Sequence, residues 1–149
     1  MRLSPNFSLS ELTNSATAAA QGLPNTPDIE ALANLSRLAT TVLEPVRALL
    51  GVPCSVTSGY RSPAVNAAIP EVGATHSAHQ DGRAADIVPK GVSLDVAFDK
   101  IRASDIPYDQ CIKESLCLHL SIAREGEAPR GQTLVRGGTA GNWTYEEVV

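Results

Sequence analysis

The 149-residue chain lacks several features that would assign it quickly to a class of protein. It has 12 Lys and Arg against 16 Asp and Glu, so it lacks the basic excess that neutralises nucleic-acid phosphates. No apolar run approaches the roughly 18 residues of a membrane span, and the first residues lack a signal peptide's apolar core. We therefore expect synthesis in the cytoplasm without a signal peptide, and neither nucleic acid nor a membrane as partner.

Cysteine is also scarce, which excludes a disulfide framework or a cysteine-rich zinc module. Cys54, Cys111 and Cys117 are odd in number and have no metal-motif spacing. The first two are expected to be small buried side chains, whereas the role of Cys117 stays open. The sequence shows no internal repeat and no sign of a second domain, and its length suits a core without disulfides. The prediction is one domain, residues 1–149.

The densest group of chemically active residues lies between 77 and 86. His79 and Asp86 are both good metal ligands, with six residues between them. That spacing suits a loop returning into a strand, because Gly82 permits a tight bend and 84–88 is typical of a short buried strand. A buried Asp86 would need a partner such as a cation. The alternative is an ordinary loop histidine and a turn-capping aspartate.

A third ligand candidate, His119, lies in 117–122, where apolar and polar residues alternate as in a half-buried strand. Residues 110–114 predict a second strand. If the two pair through a two-residue turn, Ile112 lies opposite His119, and Glu114 projects to the same side as His119. A different loop length would turn Glu114 to the opposite face.

Scaffold elements are predicted around these residues. Helical periodicity predicts a long helix that Thr26 caps and Gly51 ends, with a kink or break near Thr41 because Pro45 lies inside it. Its expected apolar stripe is Leu32, Leu35, Ala39, Val42, Val46 and Leu49. The other predictions are a helix start with a capping box at Ser8 and Glu11, a strand at 54–57, a helix at 63–69, a helix at 92–103 with Ser93 as its cap, a loop at 70–78, an edge strand at 132–136 and a flexible turn at 137–142.

Three blocks of sequence together carry a resemblance: Ser58-Gly-Tyr-Arg61-Ser-Pro63, then Ser77-x-His79-x-x-Gly82-x-Ala84-x-Asp86, then Asp109-Gln110 leading to Glu114 and His119-x-Ser121. They resemble the zinc D-Ala-D-Ala carboxypeptidase family, which includes phage endolysins and shares its fold with the Hedgehog signalling domain. The resemblance implies an α+β fold, a small antiparallel sheet flanked by helices on one side. It also implies a monomer that acts on peptidoglycan stem peptides of the bacterial cell wall.

The same resemblance implies roles for individual residues. Arg61 and Ser77 take the positions that bind one end of the substrate. Glu114, five residues before the last ligand, is the nearest acid to the position of the general base. Many relatives carry a tryptophan where this chain has Cys117. The three zinc ligands implied are His79, Asp86 and His119.

Several alternatives stay open from the sequence. A carboxypeptidase would remove a terminal D-alanine, whereas an endolysin-type peptidase, of phage or prophage origin, would cut between L-alanine and D-glutamate. The rival hypothesis is a catalytically inactive binding module that keeps its zinc, and a third is a fold without metal. His76 and the segment around Trp143 receive no role.

Overall fold

The fold is built around a six-stranded sheet. The structure is a computed structural model that describes residues 1–69 and 76–149. The strands are β1 (Arg2–Ser4), β2 (Phe7–Ser8), β3 (Cys54–Ser58), β4 (Ala84–Pro89), β5 (Gln110–Lys113), β6 (Leu118–Ser121), β7 (Gln132–Thr139) and β8 (Asn142–Glu147). The helices are α1 (Leu9–Thr13), α2 (Ala16–Gln21), α3 (Ile29–Leu38), α4 (Glu44–Leu50), α5 (Pro63–Ala67) and α6 (Leu94–Arg102). The predicted loop at 70–78 lies partly outside the described residues.

The α+β class is as predicted, but the sheet is larger and less uniform than the expected small antiparallel one. Its order is β3-β4-β6-β5-β7-β8, and β1 and β2 form a separate two-stranded sheet. All neighbouring strands of the large sheet are antiparallel except β5 and β7, which are parallel. The reason is that the chain leaves β6 on one side of β5 and returns on the other side.

Two predictions near the C-terminus were wrong. The strand expected at 132–136 is not at an edge, because β7 lies between β5 and β8. The segment 137–142 is not a flexible turn, since β7 continues to Thr139 and β8 begins at Asn142. Its glycines suggested a turn, but Gly138 is paired with Trp143 within the hairpin.

The long helix is interrupted near Thr41 as predicted. A π-helical turn, Ala39–Leu43, separates α3 from α4, and Pro45 lies in the first turn of α4. A proline has no N–H to donate to the preceding turn, which accounts for an interruption at this point. Gly51 ends α4 in the left-handed conformation at φ 70°.

Two details of that helix differ from the prediction. Asp28 caps it instead of Thr26, because the Asp28 carboxylate accepts a hydrogen bond from the Ala31 N–H at 2.8 Å. Leu49 is 39% exposed and Leu50 is the buried residue at this end of the apolar stripe. The wider π turn changes the phase of the side chains that follow it.

The remaining helix starts agree with the sequence in part. The capping box of Ser8 and Glu11 is present, and Ser93 caps α6. The short helix predicted at 63–69 ends earlier, at Ala67. None of the helices given above has the length and hydrophobicity of a transmembrane segment.

The two faces of the large sheet have different surroundings. Ala85, Ile87, Leu118 and Leu120 belong to the apolar core that includes residues of α3, α4 and α6. The intervening residues of β4 and β6, Asp86 and His119, line a cavity instead. Alternation along the strands therefore separates the core from the candidate site.

Candidate metal centre

Two neighbouring strands and one turn bring the three predicted ligands together. Asp86 on β4 and His119 on β6 are directly paired across the antiparallel ladder. His79 lies in a 3₁₀ turn, Ala78–Asp81, that Gly82 ends at φ 75°. Gly82 cannot carry a side chain, because a Cβ atom there would lie 2.4 Å from the carbonyl oxygen of Ala31. This close approach fixes the turn that carries His79 against α3.

The three ligand atoms form a nearly equilateral triangle. His79 Nε2 lies 3.2 Å from His119 Nδ1 and 3.3 Å from Asp86 Oδ1, and the latter two atoms are 3.0 Å apart. Tetrahedral zinc with bonds of about 2.0–2.2 Å places its ligand atoms about 3.3–3.5 Å from one another. The donor set of two imidazoles and one carboxylate, and its spacing, therefore fit a zinc ion.

The surroundings of His79 and Asp86 favour the protonation states in which these two side chains can bind a metal. His79 is 3% exposed, and its Nδ1 donates a hydrogen bond to the Gly59 carbonyl oxygen at 2.8 Å, which leaves Nε2 facing the triangle. Burial lowers the pKa of His79 despite the nearby Asp86, which favours the neutral imidazole. Burial raises the pKa of Asp86, but His79 and His119 outweigh it, so this pKa lies well below its usual range.

Arg61 and Ser77 lie beside this triangle and are linked to each other through Asn66. The Arg61 guanidinium is 3.7 Å from the Asp86 carboxylate and donates to Ser58 Oγ at 3.2 Å. It also donates to Asn66 Oδ1 at 3.4 Å, and Ser77 Oγ donates to the same oxygen at 3.1 Å. Asn66 is 3% exposed and was missed in the sequence. Its only signal there is a polar residue in a short apolar helix close to Arg61.

The hairpin register predicted for β5 and β6 is confirmed. Ile112 pairs with His119, and the Glu114 N–H donates to the Cys117 carbonyl oxygen at 3.0 Å. The two-residue turn therefore directs Glu114 toward the same cavity as His119. A carboxylate oxygen of Glu114, one of Asp86 and the Cys117 sulfur lie within 4.8 Å of one another.

A second arginine, which the sequence analysis did not identify, contacts Glu114. Arg136 Nη1 lies 2.9 Å from Glu114 Oε1, and the Arg136 guanidinium stacks 3.8 Å from the centre of the Trp143 ring. Arg136 and Trp143 belong to the β7–β8 hairpin, which forms one wall of a cavity of about 620 Å³. The sequence did not predict this wall, because residues 137–142 were expected to form a flexible turn. His76 pairs with Asp81 at 2.8 Å instead of lining the cavity.

Comparison with known proteins assigns a family. Among curated proteins, none matches this sequence. The sequence profile of Peptidase M15 matches residues 5–115, well over half of the chain. The matched segment contains Arg61, Ser77, His79, Asp86 and Glu114, and it ends before His119 and the β7–β8 hairpin. The chain belongs to the Peptidase M15 family, the family of the zinc D-Ala-D-Ala carboxypeptidases.

Proposed function

We propose that the protein is a zinc peptidase that hydrolyses a peptide bond in peptidoglycan stem peptides, with residues 1–149 acting as one domain. The observation that carries this proposal is the triangle of His79 Nε2, Asp86 Oδ1 and His119 Nδ1, whose sides measure 3.0–3.3 Å. Three protein ligands leave the fourth position of a tetrahedral zinc open, as catalytic zinc sites require. When bound there, zinc supplies Lewis acidity and activates water at neutral pH.

Glu114 is proposed as the general base. Its carboxylate lines the same cavity as the ligand triangle, and one of its oxygens lies within 4.8 Å of an Asp86 oxygen. A carboxylate at this position can take a proton from the attacking water and pass it to the departing amine. Its side chain is 13% exposed, so the carboxylate is largely shielded from bulk water.

Arg61 and Ser77 are proposed to bind the substrate end next to the scissile bond. The Arg61 side chain is 13% exposed and is oriented by Ser58 and Asn66. A guanidinium fixed in this way can donate two parallel hydrogen bonds to a carboxylate, or one to a carbonyl oxygen. Ser77 donates its hydroxyl proton to the same Asn66 oxygen, so its Oγ can accept a hydrogen bond from a substrate N–H on this side.

The test is digestion of purified peptidoglycan by zinc-loaded protein, with and without a chelator, followed by mass spectrometry of the released fragments. We expect cleavage that the chelator abolishes and added zinc restores. Loss of a terminal D-alanine would identify a carboxypeptidase, and separation of L-alanine from D-glutamate would identify an endolysin-type peptidase. Zinc-loaded protein that releases no fragment would contradict the proposal.

One observation favours a second candidate, a binding module that holds zinc without catalysis. Glu114 Oε1 is engaged by Arg136 at 2.9 Å and also accepts from the Cys117 thiol at 3.5 Å, so this oxygen has partners other than water. If both contacts persist with substrate bound, this oxygen is not available to an attacking water. Zinc retention and stem-peptide binding without any cleavage would identify this function.

A further inference from the structure

The β7–β8 hairpin adds a second cationic group to the candidate active-site cavity. Arg136 faces Tyr145 across the hairpin, and Gly138 faces Trp143. Trp143 is therefore a diagonal neighbour of Arg136 across the hairpin, and the Arg136 guanidinium stacks on the Trp143 ring, 3.8 Å from its centre. The stacked ring holds the arginine in place at the wall of the cavity.

Arg136 and Arg61 lie on different sides of the ligand triangle. Arg61 follows β3, the edge strand on one side, whereas Arg136 belongs to β7, beyond β6 and β5 on the other side. Each guanidinium contacts one carboxylate, Arg61 at 3.7 Å from Asp86 and Arg136 at 2.9 Å from Glu114. A peptide lying across the triangle would therefore meet one arginine on each side.

The charges in the cavity favour an acidic ligand. Among the described residues, the charged side chains that line it are Arg61, Arg136, Asp86 and Glu114. These four charges cancel, so a bound divalent ion makes the cavity positive by two charges, although the whole chain carries −4. Positive charge in a partly enclosed cavity concentrates anions there.

Arg136 retains hydrogen-bonding capacity for such a ligand. A guanidinium has five N–H donors in a planar fork, and here Nη1 binds Glu114. Within residues 1–69 and 76–149, no other hydrogen bond of this side chain is observed, and the side chain is 18% exposed and lines the cavity. Arg136 can therefore bind a second carboxylate while still contacting Glu114.

We propose that Arg136, stacked on Trp143, forms a second anion subsite that selects stem peptides carrying a free carboxylate near the scissile bond, in addition to the group that Arg61 binds. This inference rests on the proposed peptidase function and names its substrate class. The acidic residue of a stem peptide, D-glutamate, carries such a carboxylate, and its amide, D-isoglutamine, does not. Arg136 is thus a specificity-determining residue.

The test compares two synthetic stem pentapeptides that differ only in D-glutamate or D-isoglutamine at the second position. Because a charge-assisted, bidentate pair is lost in the amide, we expect zinc-loaded wild type to cleave the acid with a kcat/KM about tenfold higher. Arg136→Gln should reduce this ratio to about one, and Arg136→Lys should keep part of it, since lysine retains the charge without the fork.

A ratio of two substrates separates specificity from damage to the fold or to Glu114, because either kind of damage lowers both rates equally. Arg124→Gln removes an exposed arginine outside the cavity and should leave the ratio unchanged. Equal cleavage of both peptides by wild type, or an unchanged ratio in Arg136→Gln, would overturn the inference and leave the peptidase function standing.

Binding supplies a measurement that does not need turnover. Trp143 is the only tryptophan of the chain, so its fluorescence reports on this subsite alone. Two dipeptides are titrated into zinc-loaded protein, γ-D-glutamyl-L-lysine and D-isoglutaminyl-L-lysine. The first should change the emission at a concentration about tenfold lower than the second. If neither pentapeptide is cleaved, the proposed peptidase function is wrong, but this titration still tests the anion subsite at Arg136. Equal affinities for the two dipeptides would refute that subsite.

Discussion

The Nδ1 atom of His79 is hydrogen-bonded to the carbonyl oxygen of Gly59 at 2.8 Å. This contact fixes the imidazole so that its other nitrogen faces Asp86 and His119. Partners of this kind typically change metal affinity when they are displaced. The position of Gly59 is itself fixed by close packing, because a Cβ atom there would lie 2.3 Å from the Leu12 carbonyl oxygen.

Gly59→Ala is therefore expected to weaken zinc binding without touching a ligand. The added methyl group must displace the backbone at 59, which moves the carbonyl that orients His79, and the expected loss of zinc affinity is about 10–100-fold. Competition with a chromophoric chelator measures it. Gly91→Ala is the matched control, because it strains a positive φ of 74° with open space around the new methyl group and lies away from the cavity. Equal zinc affinity in the two variants would contradict the prediction.

Asp86→Asn should remove the stabilisation that zinc gives to the fold. A ligand that binds only the folded state stabilises it by about 2.7 kcal/mol when its free concentration is about 100 times Kd. The wild type should therefore melt at a higher Tm with zinc than with a chelator, and the variant should show no such difference. Asp95→Asn alters an exposed carboxylate paired with Lys113 and should retain the zinc effect. A full zinc-dependent rise in Asp86→Asn would remove this residue from the ligand set.

Glu114→Gln tests the general base. The amide keeps the shape of the side chain but cannot accept the proton, so kcat should fall by about 10²–10⁴-fold. Zinc content should stay at the wild-type level, because Glu114 is outside the triangle of ligand atoms. Glu127→Gln, at an exposed glutamate remote from the cavity, is the control for the loss of one negative charge. Undiminished turnover in Glu114→Gln would assign the proton transfer to another residue.

The features that the sequence predicted correctly depend on neighbouring residues. The capping box of Ser8 and Glu11 and the cap at Ser93 each involve two residues within one helical turn. The pairing of Ile112 with His119 follows from alternation and a two-residue turn. Convergence of His79 on this hairpin could be inferred only from the resemblance to a family, since no local pattern connects residues 40 positions apart.

The features that could not be predicted depend on contacts that are distant in the chain. The parallel pairing of β5 with β7 is set by where the chain returns after residue 122, and no periodicity encodes that path. Arg136 consequently looked like the end of an edge strand, although it contacts Glu114. The cap predicted at Thr26 was wrong because Thr and Asp are both good caps, and the conformation of the loop before the helix selects Asp28.

Asp109 offers a prediction about stability instead of catalysis. Its carboxylate is buried immediately before β5 and accepts hydrogen bonds from the backbone N–H and the guanidinium of Arg130 at 2.7–3.1 Å. These hydrogen bonds, led by those of the guanidinium, lower the pKa of Asp109 in the folded protein. Stabilisation from a lowered carboxylate pKa is present above the unfolded value of about 3.9 and is lost as the pH falls through the folded value.

Asp109→Asn should therefore destabilise the protein at pH 7 by about 1.5–3 kcal/mol, the usual range for hydrogen bonds to a charged group. The difference from wild type should shrink as the pH is lowered from about 4, where Asp109 of the unfolded chain becomes protonated, through the lower pKa of Asp109 in the folded protein. Urea denaturation of metal-free protein at both pH values measures the free energies of unfolding. Asp99→Asn removes a carboxylate whose side chain is 70% exposed, and it should change stability little at either pH. A pH-independent loss in Asp109→Asn would show that packing, and not the charge, is what this residue contributes.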